Sequence, residues 1–397
     1  MSTVTTGDTM STKSTLKEYF GFNEFRPYQE ALVEAIIQGR DTVAILPTGS
    51  GKSLCYQLPA LLVPGTAIVI SPLIALMEDQ VQGLNKLGIP AAMFNSNTDS
   101  ETRRDILSNL SKYRLLYVSP ERILDPDFMD WLRGEELSFV VIDEAHCISQ
   151  WGHDFRPQYR QLSVLKSQLK GIPIAAFTAT ATRQVLGDIC DALALQNPKS
   201  VVGSVDRPNL NISISQREGG KKQLLDYVKS RDIDESGIIY TATRKQVEQT
   251  AEFLNREGIP TLAYHAGMSL KDREKAHHQF INDDKRLIVA TVAFGMGINK
   301  PDIRFVYHMT MPSNMEQYYQ EIGRAGRDGM DAEVRMLFSV QDAMLQKRLT
   351  DELSDPVIRQ AAQRKTDQML AFCSSANCRR KELLAYFGEE YPKDNCK

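Results

Sequence analysis

Cysteine is sparse in this chain, with six residues in 397. That is too few for a disulfide-stapled scaffold. Cys55, Cys147, Cys190 and Cys373 fall at no metal-ligand spacing and read as buried thiols of a reducing compartment. Histidine is equally scarce, and His265, His277, His278 and His308 form no metal-binding pattern. No apolar run approaches the roughly 20 residues that a membrane-spanning helix needs. The polar, Ser/Thr-rich start lacks the apolar stretch of a secretory signal, and residues 1–14 are expected to be a disordered leader. Positive charge is not in excess either. A net charge of −3 gives no basic field over the whole surface, so any nucleic-acid site has to be a local patch. These absences lead to the expectation of a soluble, intracellular protein with no membrane partner.

What is present has the composition of a globular protein, 42% hydrophobic and 24% charged. The length exceeds one ordinary core and implies two domains plus a small appendage. Short apolar runs at 42–46, 66–70, 115–118, 139–142 and 174–177 alternate with helical patterns at 52–62, 73–87 and 182–195. The alternation repeats, with runs at 237–240, 261–264, 287–290 and 305–307 and helices at 244–256, 269–281 and 314–323. Such runs predict parallel sheets covered on both faces, an α/β fold. The first domain is expected over 15–206 and the second over 207–340, joined around Pro208. A charged helical segment with a Cys-bearing tail follows over 341–397.

Parallel α/β sheets bind ligands beyond the carboxyl ends of their strands. The run at 42–46 ends in Leu46-Pro47-Thr48-Gly49-Ser50-Gly51-Lys52-Ser53 and opens a helix. Glycines let backbone N–H groups approach phosphates, and the helix N-terminus adds favourable potential. Thr48, Gly49, Ser50 and Gly51 would cradle the phosphates of ATP, Lys52 would reach the β- and γ-phosphates, and the Ser53 hydroxyl would ligate Mg²⁺. Leu46 stands where the strict phosphate-loop pattern has its first glycine. Asp143 and Glu144 end the apolar run at 139–142. Asp143 can hold Mg²⁺ and Glu144 can orient and deprotonate the attacking water. In the second domain, Gln320 precedes Gly323-Arg324-Ala325-Gly326-Arg327. Two arginines three apart can stabilise charge on a transferring phosphoryl group, which would put ATP between the domains.

Directly after the carboxylates comes a polar loop with Trp151, His153, Phe155 and Arg156. Exposed aromatics stack on bases, worth about 1–3 kcal/mol per base, and Arg156 can pair with a phosphate or a carboxylate. The alternative is that Trp151 and Phe155 pack under the loop, since tryptophan is usually well buried. For His146, a bond across to the second domain and a satisfied place within its own fold are both open.

With these elements in chain order, the sequence resembles superfamily 2 helicases, and D-E-A-H-C-I-S-Q-W-G-H-D-F-R-P at 143–157 resembles the RecQ family of DNA helicases in particular. The resemblance covers residues 16–396. It implies two tandem RecA-like domains followed by a partial helical zinc-binding segment. It also implies that Phe22 stacks on adenine while Arg26 and Gln29 recognise it. Residues 71–80 and 118–122 resemble strand-tracking motifs, and 177–181 a coupling motif. Residues 240–244, 264–268 and 290–301 resemble the motifs of the second domain; Arg244 persists there, although several members have Cys-Asn-Ser-Arg where this chain has Thr-Ala-Thr-Arg. The loop at 147–156 would sense single-stranded DNA.

The implied activity is ATP- and Mg²⁺-dependent unwinding in the 3′-to-5′ direction, in DNA recombination, repair and replication, by a monomer acting on DNA with a 3′ single-stranded tail. The implied place is the nucleoid-bearing cytoplasm of a bacterium or the nucleus of a eukaryote. Cys378 and Cys396 match the first two ligands of the family's zinc module. A structural zinc site needs four, so zinc is expected only where a longer protein supplies the others, and the tail reads as truncated. An RNA helicase of DEAH type and a non-catalytic nucleotide-gated module are the competing readings.

Overall fold

The computed structural model describes residues 11–96, 98–149, 151–152, 155–282, 286–292, 294 and 300–396. The chain divides into two compact units, residues 1–203 and 204–397.

In the first unit the described strands are β1 (Thr42–Ile45), β2 (Thr66–Ile70), β3 (Ala91–Phe94), β4 (Leu115–Val118), β5 (Leu137–Ile142), β6 (Ile174–Thr178) and β7 (Lys199–Val202). They form one sheet in the order β3-β4-β2-β5-β6-β1-β7, and every pairing is parallel. Residue parity explains the continuous apolar runs. Val43, Ile68, Val118, Val140 and Ala176 face one core cluster, while their neighbours Ala44, Val69, Tyr117, Val141 and Phe177 face another. A central strand with both faces covered has no room for alternating polar residues.

The second unit repeats the plan with β8 (Leu210–Gln216), β9 (Ser236–Tyr240), β10 (Thr261–Tyr264), β11 (Leu287–Ala290), β12 (Ile303–His308) and β13 (Ala332–Phe338). The order is β10-β11-β9-β12-β13-β8, again with parallel pairings. Gly237 is required where it stands, because a Cβ there would collide with the Phe305 ring.

Four boundaries differ from the sequence expectation. Residues 12–14, expected within a disordered leader over 1–14, are helical, because the Ser11 side chain accepts from the Ser14 N–H and caps a helix that starts at Thr12 and buries Leu16. The helix expected over 52–62 forms as two turns, Leu54–Gln57 and Pro59–Leu62, since Pro59 has no N–H to continue the ladder. The joint falls at 203/204, before Pro208, because Val205 and Leu210 enter the core of the second unit. The segment from 341 has no core of its own among the described residues. Met369, Phe372, Leu383 and Leu384 bury in the same cluster as Ile238, Val306 and Val334, so it is built into the second unit.

Candidate nucleotide and nucleic-acid sites

The turn after β1 takes its shape from two left-handed glycines, Gly49 (φ 85°) and Gly51 (φ 79°). Lys52 bends back over it, and its ammonium donates to the Leu46 carbonyl at 3.1 Å. Arg26 and Gln29 hold the loop from outside. Arg26 donates to the Gly49 carbonyl. The Gln29 amide nitrogen donates to the carbonyls of Ser50 at 3.0 Å and Gly51 at 3.3 Å, while its oxygen accepts the Arg26 N–H at 2.9 Å. Both residues, expected at the adenine, brace the phosphate loop in this structure. Phe22 leaves half of its ring in solvent. Thr48 and Ser53 flank the glycines on the same turn.

Asp143 and Glu144 leave β5, which pairs with β6, and β6 in turn pairs with β1. The Asp143 N–H donates to the Ile70 carbonyl at 2.9 Å, the Asp143 carboxylate accepts the Glu144 N–H at 3.0 Å, and the Tyr159 phenol donates to the Asp143 carbonyl at 3.0 Å. Burial and the Glu144 charge push the Asp143 carboxyl up to about 7, partly offset by Lys52. A buried carboxylate whose proton affinity is raised suits a divalent cation, and the oxygens of Asp143 and Ser53 are the donors that the Mg²⁺ accompanying ATP prefers. Glu144 takes a left-handed conformation (φ 50°), strained for a side chain with a Cβ and typical of functional positions.

His146 is buried within its own unit. Its Nδ1 lies 2.8 Å from the Thr178 hydroxyl and 3.3 Å from the Glu144 carboxylate. Thr178 bonds onward to the Thr180 carbonyl at 3.2 Å. Thr178 and Tyr159 are contacts that the sequence did not flag; the F-T-A-T-A run at 177–181 was the signal for the first.

In the polar loop, Trp151 is half-buried against the first core cluster, and its N–H donates to the Ser149 hydroxyl at 3.1 Å. Phe155 is half-buried beside a shallow groove lined by Leu124, Arg160 and Val164. Arg156 donates to the Pro72 carbonyl at 3.1 Å, which ties this loop to the segment at 71–80. His153 lies outside the described residues.

In the second unit the helix Met315–Ile322 carries Gln320, half-buried, and ends at the arginine pair. Arg324 is buried against Tyr240. Burial, then Arg324 and Arg207, pull the Arg327 guanidinium down to about 9. A cluster of one buried and two half-buried guanidinium groups is a receptor for anionic charge. Arg207 was not singled out from sequence, although D-R-P-N at 206–209 marked the joint. Exposed Arg244 lies over Gly267, where a Cβ would meet it at 2.9 Å.

At the tail, the Cys378 and Cys396 sulfurs are 3.3 Å apart. Two sulfurs on one tetrahedral zinc sit about 3.8 Å apart, given Zn–S distances of about 2.3 Å. No group of three His, Cys, Asp or Glu able to hold a metal occurs among the described residues. The pair does not fit a complete zinc site.

Three family models match in chain order: DEAD/DEAH box helicase over residues 26–189, helicase conserved C-terminal domain over 220–329 and RecQ zinc-binding over 340–397. The ATP-dependent DNA helicase RecQ of Bacillus subtilis is 43% identical over 97% of this chain and 65% of its own length. A candidate ATP-dependent RNA helicase of Acanthamoeba polyphaga mimivirus is 42% identical over 97% of this chain and 70% of its own. The chain thus spans less than two thirds of the bacterial relative. Helicase MrfA bound to DNA and AMPPNP shares the fold, with a TM-score of 0.69 at 18% identity, over 92% of this chain and 53% of that one. A phosphate loop, a carboxylate pair and an arginine pair in this order, with a matching C-terminal segment and identity above 40% along almost the whole chain, place it in a single group: the chain belongs to the RecQ family of helicases.

Proposed function

We propose that this chain is the motor of an ATP-dependent DNA helicase that couples ATP hydrolysis to 3′-to-5′ movement along single-stranded DNA and to duplex unwinding, in DNA recombination, repair and replication. The observation that carries the reading is the first unit's constellation, in which Lys52 lies close enough to Asp143 to act on its proton affinity and both stand at the end of one parallel sheet.

In this mechanism the loop N–H groups of residues 48–53 receive the phosphates. Lys52 leaves the Leu46 carbonyl to meet the β- and γ-phosphates. Ser53 and Asp143 would hold Mg²⁺, which would supply charge neutralisation on the phosphates. Glu144 orients and deprotonates water. Arg324 and Arg327, with Gln320, act on the transferring phosphoryl group. Phe22 stacks on adenine, with Arg26 and Gln29 at its edge. The step from site to DNA runs through His146 and Thr178, and through the backbone shared by Glu144 and the loop bearing Trp151, His153, Phe155 and Arg156. Arg244 contacts the DNA backbone from the second unit. The chain acts as a monomer, in the cytoplasm of a bacterium or a eukaryotic nucleus. No described helix is long and apolar enough to cross a membrane. Zinc requires ligands beyond Cys378 and Cys396.

The mimivirus relative's name favours a second reading, RNA as the substrate. ATPase and unwinding assays on duplexes with a 3′ or a 5′ single-stranded tail, run with DNA and with RNA, separate the two. Unwinding of the 3′-tailed DNA alone is the expected result, and stimulation by RNA but not by DNA would overturn the proposal.

A further inference from the structure

The arginine pair does not hold itself in place. The Arg207 guanidinium donates to the carbonyls of Gly323 at 3.3 Å, Ala325 at 2.9 Å and Gly326 at 2.9 Å. These are the peptide groups on either side of Arg324 and just before Arg327. The first of them, Gly323, caps the C-terminus of the helix Met315–Ile322, where orphan carbonyls favour a cation.

Arg207 is itself gripped from the other side. Arg380, buried on the last described helix, Arg379–Tyr386, donates to the Asp206 carboxylate at 2.6 Å and the Arg207 carbonyl at 2.7 Å. It reaches the Leu210 carbonyl at 2.6 Å as well. Glu389 accepts the Val205 N–H at 2.8 Å. The segment at 204–210 is therefore sandwiched between the C-terminal helix and the arginine turn.

We propose that Arg207 and Arg380 are positioning residues for Arg324 and Arg327, so that the C-terminal helical segment sets the rate of ATP hydrolysis by way of the joint segment. Arg324 is buried with the half-buried Arg207 and Arg327 close by, and burial with this crowding lowers the proton affinity of Arg327. Such an arrangement splays apart unless its backbone is held. A displacement of about 1 Å at a charge-stabilising group costs up to about a hundredfold in rate. The change Arg380→Lys keeps the charge but loses the fork, because an ammonium cannot span a carboxylate and two carbonyls together.

The inference rests on the ATPase reading above, and the test separates them. Steady-state ATPase with saturating single-stranded DNA is measured for the wild type, Arg207→Ala, Arg380→Ala, Arg380→Lys and the double alanine variant. Amide hydrogen exchange over residues 323–329 is followed in each. Arg207→Ala is expected to lower kcat at least tenfold with the KM for ATP within threefold. Arg380→Ala should lower it less, Arg380→Lys should recover part of that loss, and the double variant should be no slower than Arg207→Ala. Exchange at the arginine turn should quicken in all four variants. A kcat for Arg207→Ala within twofold of wild type, losses that multiply in the double variant, or unaltered exchange would overturn the relay. If Arg207→Ala does not fold, the Arg380 variants decide by the same criteria. A wild-type chain without ATPase activity removes the functional reading, and the exchange measurement still judges the clamp.

Discussion

Replacing Gly51 by alanine tests how the phosphate loop is built. Gly51 has φ 79°, a conformation that costs an L-residue about 1–2 kcal/mol. A Cβ there would also lie 2.5 Å from the Gln29 amide nitrogen and displace it from the Ser50 and Gly51 carbonyls. Two such bonds contribute about 1 kcal/mol each. The nucleotide-ready loop should thus be disfavoured by about 3–4 kcal/mol, which weakens nucleotide binding by about a hundredfold or more. The assay is titration with a fluorescent ATP analogue in a double-mutant cycle with Gln29→Ala. With Gln29 removed, only the backbone term of about 1–2 kcal/mol remains, so Gly51→Ala should cost distinctly less there. Equal losses in the two backgrounds would refute the role given to Gln29 as a brace, and unchanged affinity for Gly51→Ala would refute the loop geometry itself.

Four further outcomes are expected. Thr178→Val keeps the volume but removes the hydroxyl 2.8 Å from His146; it should cost about 1–3 kcal/mol in urea unfolding and slow unwinding more than ATP hydrolysis, measured side by side. Trp151→Ala should keep ATP affinity while DNA stimulation of the ATPase falls, and full stimulation would return Trp151 to a packing role. Gly237→Ala drives a methyl group into the Phe305 ring and should destabilise the second unit by about 1–3 kcal/mol, read by calorimetry, without altering nucleotide affinity in the first. Metal analysis of the purified 397-residue chain should give less than one zinc per molecule, since two thiols make half a site.

How much of this was legible in the sequence depended on where the information lay. The strands buried on both faces, such as β5 and β6, announce themselves as unbroken apolar runs, and the turn after β1 as glycines before Lys52. Several strands at or near the sheet edges do not, although the edge strand Thr261–Tyr264 does. Leu210–Gln216 alternates Ile with Ser and Asn, and Ala332–Phe338 alternates apolar residues with Glu333 and Arg335, patterns that a half-covered strand shares with a loop. Within the sites, residue identities at Lys52, Asp143 and Arg324 could be picked out because each sits in a local pattern. Arg207 and Thr178 could not be assigned their contacts, because their partners lie 116 and 32 positions away in the chain and no local spacing encodes that.

The place of β8 has a consequence for synthesis on the ribosome. It is the first strand of the second unit to emerge, yet its sole described neighbour in the sheet is β13, with Leu210 paired to Ala332. At about 5–20 residues per second, its docking partner appears roughly 6–25 s later. Through that interval Ile212 and Ile214 and a full row of backbone hydrogen-bonding groups stay open to other chains. The Ser and Asn between them keep the waiting strand hydrated. The helix bearing Leu383 and Leu384, which closes the same core, arrives later still. The nascent second unit therefore leaves a chaperone an open strand to protect, and slowing elongation between residues 216 and 332 should raise aggregation without any change in the finished protein.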